Sequence, residues 1–226
     1  MIKETTDERT GEIISKEWTA CLLEVKPRHN PTGTAKHWVS VDRLEVRARP
    51  GGSPPDDLLN YAKLSLTLEV LPHRLKNEVA PNKTEFRGFY TRHLATVSLT
   101  GNQDVMLREP DLRGFRVGTY LMHEIVRWVK QWPTAAVEHV FLSGARDAED
   151  DNRERRNRFY EKLGLKIEFK DERKAEGSYM HKSMTAGDLS LRKTWTKNII
   201  VHENLPLDPN ERSRVIAALM SSAFRA

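Results

Sequence analysis

The hydrophobic period of the chain changes once, and that change limits the fold more than any other feature. Between residues 18 and 99 apolar residues alternate with polar ones, as at Leu64, Leu66, Leu68 and Val70, the period-2 pattern of half-buried strands. From Val117 the spacing becomes four, so that Val117, Leu121, Ile125 and Val129 share one helical face. Strands first, then helices alternating with strands, predict an α/β (α+β) domain.

Punctuation residues divide this pattern further. Pro27 and the turn-rich run to Gly33 end a strand over 18–26, and the Pro50-Gly51-Gly52-Ser53-Pro54-Pro55 loop ends a second that begins at His37. Residues 86–99 are expected to form one long strand or a hairpin arm. A short strand over 105–109 stops at Pro110, which cannot donate to a ladder. Beyond the first helix, 137–142 reads as a continuous central strand, and 151–163 as a basic helix ended by Gly164 in a left-handed cap. Strands are expected over 165–169 and 178–184. Residues 1–16 are charged and aperiodic, a frayed arm within an N-terminal segment 1–35. The main domain spans 36–184, and 185–226 is a C-terminal helical extension. In that extension Asp208-Pro209-Asn210-Glu211 is a capping box with proline at the first helical position. Val215, Ile216, Leu219, Met220 and Phe224 then form a stripe that docks on its own domain or across the two-fold axis of a homodimer.

Composition narrows the function classes. No apolar run approaches the ~18 residues needed to span a bilayer, and the first residues lack the apolar core of a secretory signal. The single cysteine, Cys21, excludes an intramolecular disulfide and a multi-cysteine zinc site. The expectation is a cytoplasmic protein with no membrane association and no metal centre. With 37 Lys and Arg against 32 Asp and Glu, the net charge of +5 suits a phosphate-bearing partner, and equally an ordinary cytosolic surface.

The segment from 105 to 129 carries the chemistry. A strand, a proline, an Arg- and Gly-rich turn and an amphipathic helix together form a device for binding a diphosphate. Gly114 and Gly118 relieve bulk where a ligand approaches the backbone, and Arg113 and Arg116 supply cations for phosphates. About 45 residues on, Asn157-Arg158-Phe159-Tyr160-Glu161-Lys162-Leu163-Gly164-Leu165 places a tyrosine on a helix that leads at once into a strand. Of the adjacent Phe159 and Tyr160, one faces the core and the other an edge or cleft. Cys21 is far in sequence from both segments.

Together these segments resemble the signatures of the GNAT superfamily of N-acetyltransferases. The first signature reads here Arg113-Gly114-Phe115-Arg116-Val117-Gly118-Thr119, and the second Phe159-Tyr160-Glu161-Lys162-Leu163-Gly164-Leu165. Arg116 stands where the first has glycine, Arg156 where the second has alanine, and Asn152 lies one residue further from Tyr160 than the second signature's asparagine. The resemblance covers 103–170 by motif and 36–184 by strand order.

It implies a GNAT-like mixed, mostly antiparallel central sheet flanked by helices. It also implies acetyl-CoA as acyl donor, held between parallel strands at 105–109 and 137–142. The diphosphate would rest on residues Phe115, Arg116, Val117, Gly118 and Thr119, with Arg113, Gly114 and Asn152 nearby. The backbone of Leu107 and Arg108 would pair with the pantetheine arm. An amine acceptor would attack the thioester directly, with Tyr160 as the acid for the departing thiolate. Asp104 and Glu109 are the candidate bases, beside His93 on the preceding strand. Two alternatives stay open: a nucleic-acid- or tRNA-directed enzyme that uses the basic helix 153–158, and a non-catalytic binding module of the same fold.

Overall fold

Alternation of apolar and polar residues gives β2 (Ile13–Val25), β3 (His37–Arg49) and β4 (Tyr61–Leu71) one buried edge-to-edge surface, and they pair antiparallel along nearly their whole lengths. In this computed structural model residues 1–27, 37–51, 59–71, 84–101, 107, 112–142, 150–170, 172, 174, 176–179 and 184–223 are described. β5 (Thr84–Thr91) continues the antiparallel sheet, and β6 (Thr96–Ser98) returns beside it. The 86–99 run is therefore a hairpin, closed by Ala95 N–H donating to Arg92 O at 2.8 Å. After helix α1 (Val117–Val129), strand β7 (Ala136–Val137) adds parallel to β6.

The stretch 137–142 differs from the expected continuous strand. β7 ends in the main sheet, and β8 (Val140–Leu142) belongs to a second sheet. That smaller sheet has the order β8, β10 (Gly177–Tyr179), β9 (Glu168–Phe169), all antiparallel. Between β8 and β9 lies helix α2 (Asp150–Glu161). It ends as expected at Gly164, with φ +93° and Leu165 N–H donating to Tyr160 O at 3.3 Å. The expected strand at 105–109 falls outside the described residues except for Leu107, so the described parallel pair of the main sheet is β6 and β7.

Both chain ends join the main sheet. Residues 1–16, read as an arm, form β1 (Ile2–Thr6) and the start of β2, a hairpin in register from Ile2 opposite Glu17 to Thr6 opposite Ile13. The tail supplies β11 (Ile199–His202), which pairs with the other half of the same β2 edge. Helix α3 (Pro209–Ala223) follows, capped by Asp208 Oδ1, which accepts from the amides of Asn210 at 3.0 Å and Glu211 at 2.9 Å. The fold is thus a mixed α and β structure built on a mostly antiparallel sheet, with three α-helices among the described residues.

The helices take opposite faces of the sheet. On one face α1 packs on Leu23, Val39, Val41, Leu64, Leu66, Leu68 and Phe86 in the main core. The four residues of its expected face are fully buried, and Tyr120, His123, Glu124 and Trp128 on its other sides are largely buried as well. On the other face α3 lays Val215, Ile216, Leu219 and Met220 against a second cluster of Ala20, Leu22, Trp38 and Leu205. Arg212 fastens it, with Nη1 2.6 Å from Asp42 Oδ1 and Nη2 donating to Ser40 Oγ at 2.7 Å. The stripe docks on its own chain; Phe224 lies outside the described residues. No helix among the described residues is long and apolar enough to cross a membrane.

Candidate functional site

The turn before α1 has unusual backbone geometry. Gly114 has φ +85° and Arg116 φ +65°, with negative φ at Phe115 between them. Alternation of hand directs successive amides to one side, the arrangement of an anion-binding nest. Arg116 pays a steric cost there, since a left-handed residue with a Cβ is disfavoured by ~1–2 kcal/mol. The first intrahelical bond runs from Tyr120 N–H to Arg116 O at 3.0 Å, so the amides of Val117, Gly118 and Thr119 have no intrahelical acceptor. The helix dipole adds partial positive charge at the same point.

Several residues named from the sequence meet here. A Cβ built on Gly118 would stand 3.5 Å from Leu107 Cδ1 and 4.0 Å from Phe86 Cζ, which places Leu107 directly over the helix start. Around Gly114 the space is open, and Arg113 and Gly114 are exposed. Val117 is buried in the main core, and Thr119 is half-buried. Phe115 meets the ring of His37 edge-on, with centroids 5.2 Å apart. The Arg116 guanidinium donates to Thr194 O, which ties the turn to the tail segment before β11.

The others lie elsewhere. Asp104, Arg108 and Glu109 are outside the described residues, as is the side chain of Asn152 in the first turn of α2. Tyr160 sits in the last turn of α2, 5% exposed, in the same core as Val117 and Leu112. Its ring meets Phe159 edge-on at 5.3 Å, and its carbonyl accepts two amides that close the helix end. Of the adjacent pair, Tyr160 is therefore the core-facing residue and Phe159 the half-buried one.

A second polar cluster follows one turn along α1, and it was not legible from the first helical face. Cys21, distant in sequence, places Sγ 3.4 Å from Tyr120 Oη. Tyr120 and His123 both meet Trp195 edge-on, at 5.0 and 5.6 Å. Burial pushes the Cys21 thiol up to about 11, so it stays protonated at neutral pH and is no nucleophile. Burial likewise raises Tyr120, with Cys21 adding to the effect. The spacing 120, 123, 124, 127 marks a polar second face of α1, and that was the available signal.

His123 makes this cluster sensitive to pH. Burial, then Arg127 and Lys193, hold its imidazole below the usual histidine range, opposed weakly by attraction to the Arg192 backbone. Nδ1 is buried without a hydrogen-bond partner among the described residues. The unfolded chain binds the proton more readily, so this stability is complete above about pH 6.5 and is lost as pH falls through the folded-state value. Glu45 and Glu124 are shifted in opposite directions. Burial alone would raise Glu45, but attraction from the nearby Trp128 indole, short of strict hydrogen-bond geometry, and from Arg47 and Arg43 holds it down. Glu124 is raised chiefly by burial. The His123 contribution should therefore lower the melting temperature as pH falls from about 7 to 5, opposed by Glu124, whose raised carboxyl takes up a proton more readily in the folded state, and His123→Gln should remove the His123 part of that slope. Parallel curves for the two proteins would remove His123 from the account.

Away from α1's start, a cavity of about 330 Å³ opens beneath the β1–β2 hairpin, lined in part by Glu4, Ser15, Glu17, Glu45, Arg47 and Arg49. Arg47 Nε contacts Glu45 Oε1 at 2.6 Å, and its Nη2 donates to Gln131 Oε1 at 3.0 Å beyond the end of α1. Through these contacts Arg47 ties β3 to the segment that follows α1. Comparison of the chain with protein-family models, with curated proteins and with solved structures finds no match.

Proposed function

We propose that the chain is an acyl-CoA-dependent N-acyltransferase that moves an acetyl group from acetyl-CoA to a primary amine. The observation that carries this reading is the turn at Gly114–Val117, whose alternating hand leads into three amides without an intrahelical acceptor at the start of α1. The open space at Gly114 suits close approach of a diphosphate. The second support is the resemblance of the 113–119 and 159–165 segments to the two signatures of the GNAT superfamily.

In this reading the amides of Val117, Gly118 and Thr119 bind the diphosphate, and Arg113 adds a cation from the exposed side. Leu107, over Gly118, marks where the pantetheine arm would run. The acceptor amine must reach the site unprotonated, and its nitrogen forms a bond to the thioester carbonyl carbon. The carbon–sulfur bond then breaks, and the departing thiolate takes a proton from Tyr160 Oη. The proton lost by the amine passes to a base, for which Asp104 and Glu109 are the candidates. Cys21 takes no covalent part, because its thiol is held protonated.

Acetyl-CoA at ~100 times its Kd should stabilise the folded chain by about 2.7 kcal/mol, read as a rise in melting temperature. Gly118→Glu should abolish that rise, since it forces a carboxylate against Leu107 and Phe86 at the start of α1 and adds negative charge near the amides. Gly118→Ala is the folding control, because its Cβ makes only ordinary contact with Leu107. No shift with millimolar acetyl-CoA, and no binding heat, would overturn the reading.

A further inference from the structure

Before β11 the tail runs as a strap past the start of α1, and both ends of the strap are pinned. At one end Ser190 N–H donates to Leu163 O and Arg192 Nε to Lys162 O, each at 2.9 Å, on the segment that follows Tyr160. At the other, Lys26 N–H donates to Asn198 O at 2.7 Å and Asn198 Nδ2 to Pro27 O at 3.2 Å, just beyond β2. Between these anchors lies a single 3₁₀ turn, Thr194–Lys197. It meets α1 and the preceding turn through the Arg116 guanidinium, which donates to Thr194 O, and through the Trp195 ring, edge-on to Tyr120 and His123. Lys193, Thr194, Thr196 and Lys197 are exposed.

Arg116 joins this strap to the nest. Its backbone belongs to the turn, at φ +65°, a strained position where glycine would cost less. Its side chain is half-buried with a neutral carbonyl as acceptor, and no carboxylate lies within 4.0 Å of it among the described residues. A guanidinium bonds an anion about twice as strongly as a neutral acceptor. The amides of Val117, Gly118 and Thr119 follow Arg116 directly in the chain, so an anion seated on them stands beside its side chain. Thr194 is exposed, so its carbonyl can accept from water once the guanidinium leaves.

We infer that residues 193–197 are an anion-operated lid: a diphosphate on the nest draws the Arg116 guanidinium off Thr194 O and frees the middle of the strap from the start of α1. The lid rests on the same nest that carries the acyl-transfer reading, and it adds the regulation of that site. Replacing a neutral acceptor by a charged one supplies the differential affinity a ligand needs to shift a closed strap toward an open one. By reciprocity, the closed strap weakens anion binding. The pinned ends confine the movement to the span between Arg192 and Asn198. Opening uncovers His123, 5% exposed in the closed state, whose Nδ1 is buried without a hydrogen-bond partner among the described residues.

The test is amide hydrogen exchange of the full chain, read by mass spectrometry over 190–198, free and with acetyl-CoA or inorganic pyrophosphate, while the melting temperature reports occupancy. Arg116→Gly removes the guanidinium and accepts the left-handed backbone, and Arg116→Asn does the same with a Cβ retained. The amides of Thr196 and Asn198 bond within the strap, to Lys193 O and Trp195 O. A lone turn lifted from its support is marginal, so in the wild type either ligand should speed their exchange about tenfold. Amides of β3 and β4 should not speed up. In both variants the strap should exchange at the fast rate without ligand and gain nothing from it. A ligand that raises the melting temperature while wild-type strap exchange stays unchanged or slows overturns the lid and leaves the acyl-transfer reading standing. So does a strap that responds equally in the variants. If acetyl-CoA does not bind, that reading fails and pyrophosphate decides the lid: Arg116-dependent opening upholds it, and no opening overturns it.

Discussion

Tyr160→Phe is expected to lower the rate of acetyl transfer by about 10²-fold or more, the usual contribution of a positioned general acid. The same change should leave folding intact. The ring is 5% exposed, packs in the main core and meets Phe159 edge-on, and phenylalanine keeps all of that. The backbone carbonyl that closes α2 is also retained. An acid role shows as a fall in kcat with little change in KM, largest for thiol leaving groups of high pKa. An unchanged rate on a genuine acceptor would return Tyr160 to packing alone. A matching loss of rate and melting temperature would point to a damaged core rather than missing acid.

Trp128→Ala is expected to cost about 3–5 kcal/mol, the range for truncating a large buried aromatic. Trp128 is 2% exposed and lies on the bare backbone of β5, where a Cβ added at Gly88 would sit 3.3 Å from its ring. Its other edge meets Trp132 at 4.9 Å. No neighbour can move into the space, because the sheet below is hydrogen-bonded and the second tryptophan is itself stacked on Tyr90 at 4.2 Å. Urea unfolding should show a lower midpoint with an unchanged slope, and the melting temperature should drop on the order of 10 °C. Gly88→Val tests the same contact from the other side by overfilling it, with a methyl-sized group already 3.1 Å from Ile125 Cγ2. A loss below about 1 kcal/mol for Trp128→Ala would mean that α1 is not clamped to the sheet through this ring.

Local periodicity made much of the fold legible. β3, β4 and α1 each carry their own repeat, and each appears close to where that repeat begins and ends. Gly164 and Asp208 act through bonds to residues within four positions, so a helix stop and a helix start could be read directly. The candidate nest was legible for the same reason, since Gly114 and Gly118 flank the start of a clear amphipathic helix. Its conformation was less so: Arg116 adopts a left-handed backbone that sequence preference would reserve for glycine.

What sequence alone determined, then, is every element whose residues bury one face against whatever layer is offered. Tertiary structure decided the pairings that no side-chain pattern encodes. β1 is exposed at all five positions and β11 is mostly unburied, because backbone ladders hold both to β2 and a ladder is indifferent to side chains. Glu138 and His139 interrupt the apolar 137–142 run, and its two halves join different sheets according to which strand each meets. Cys21 beside Tyr120, Arg116 on Thr194 and Lys162 beside Arg192 each join residues at least thirty positions apart. Such contacts exist only once the sheet has set the distance between segments, which is why the nest could be read in advance and the surfaces beside it could not.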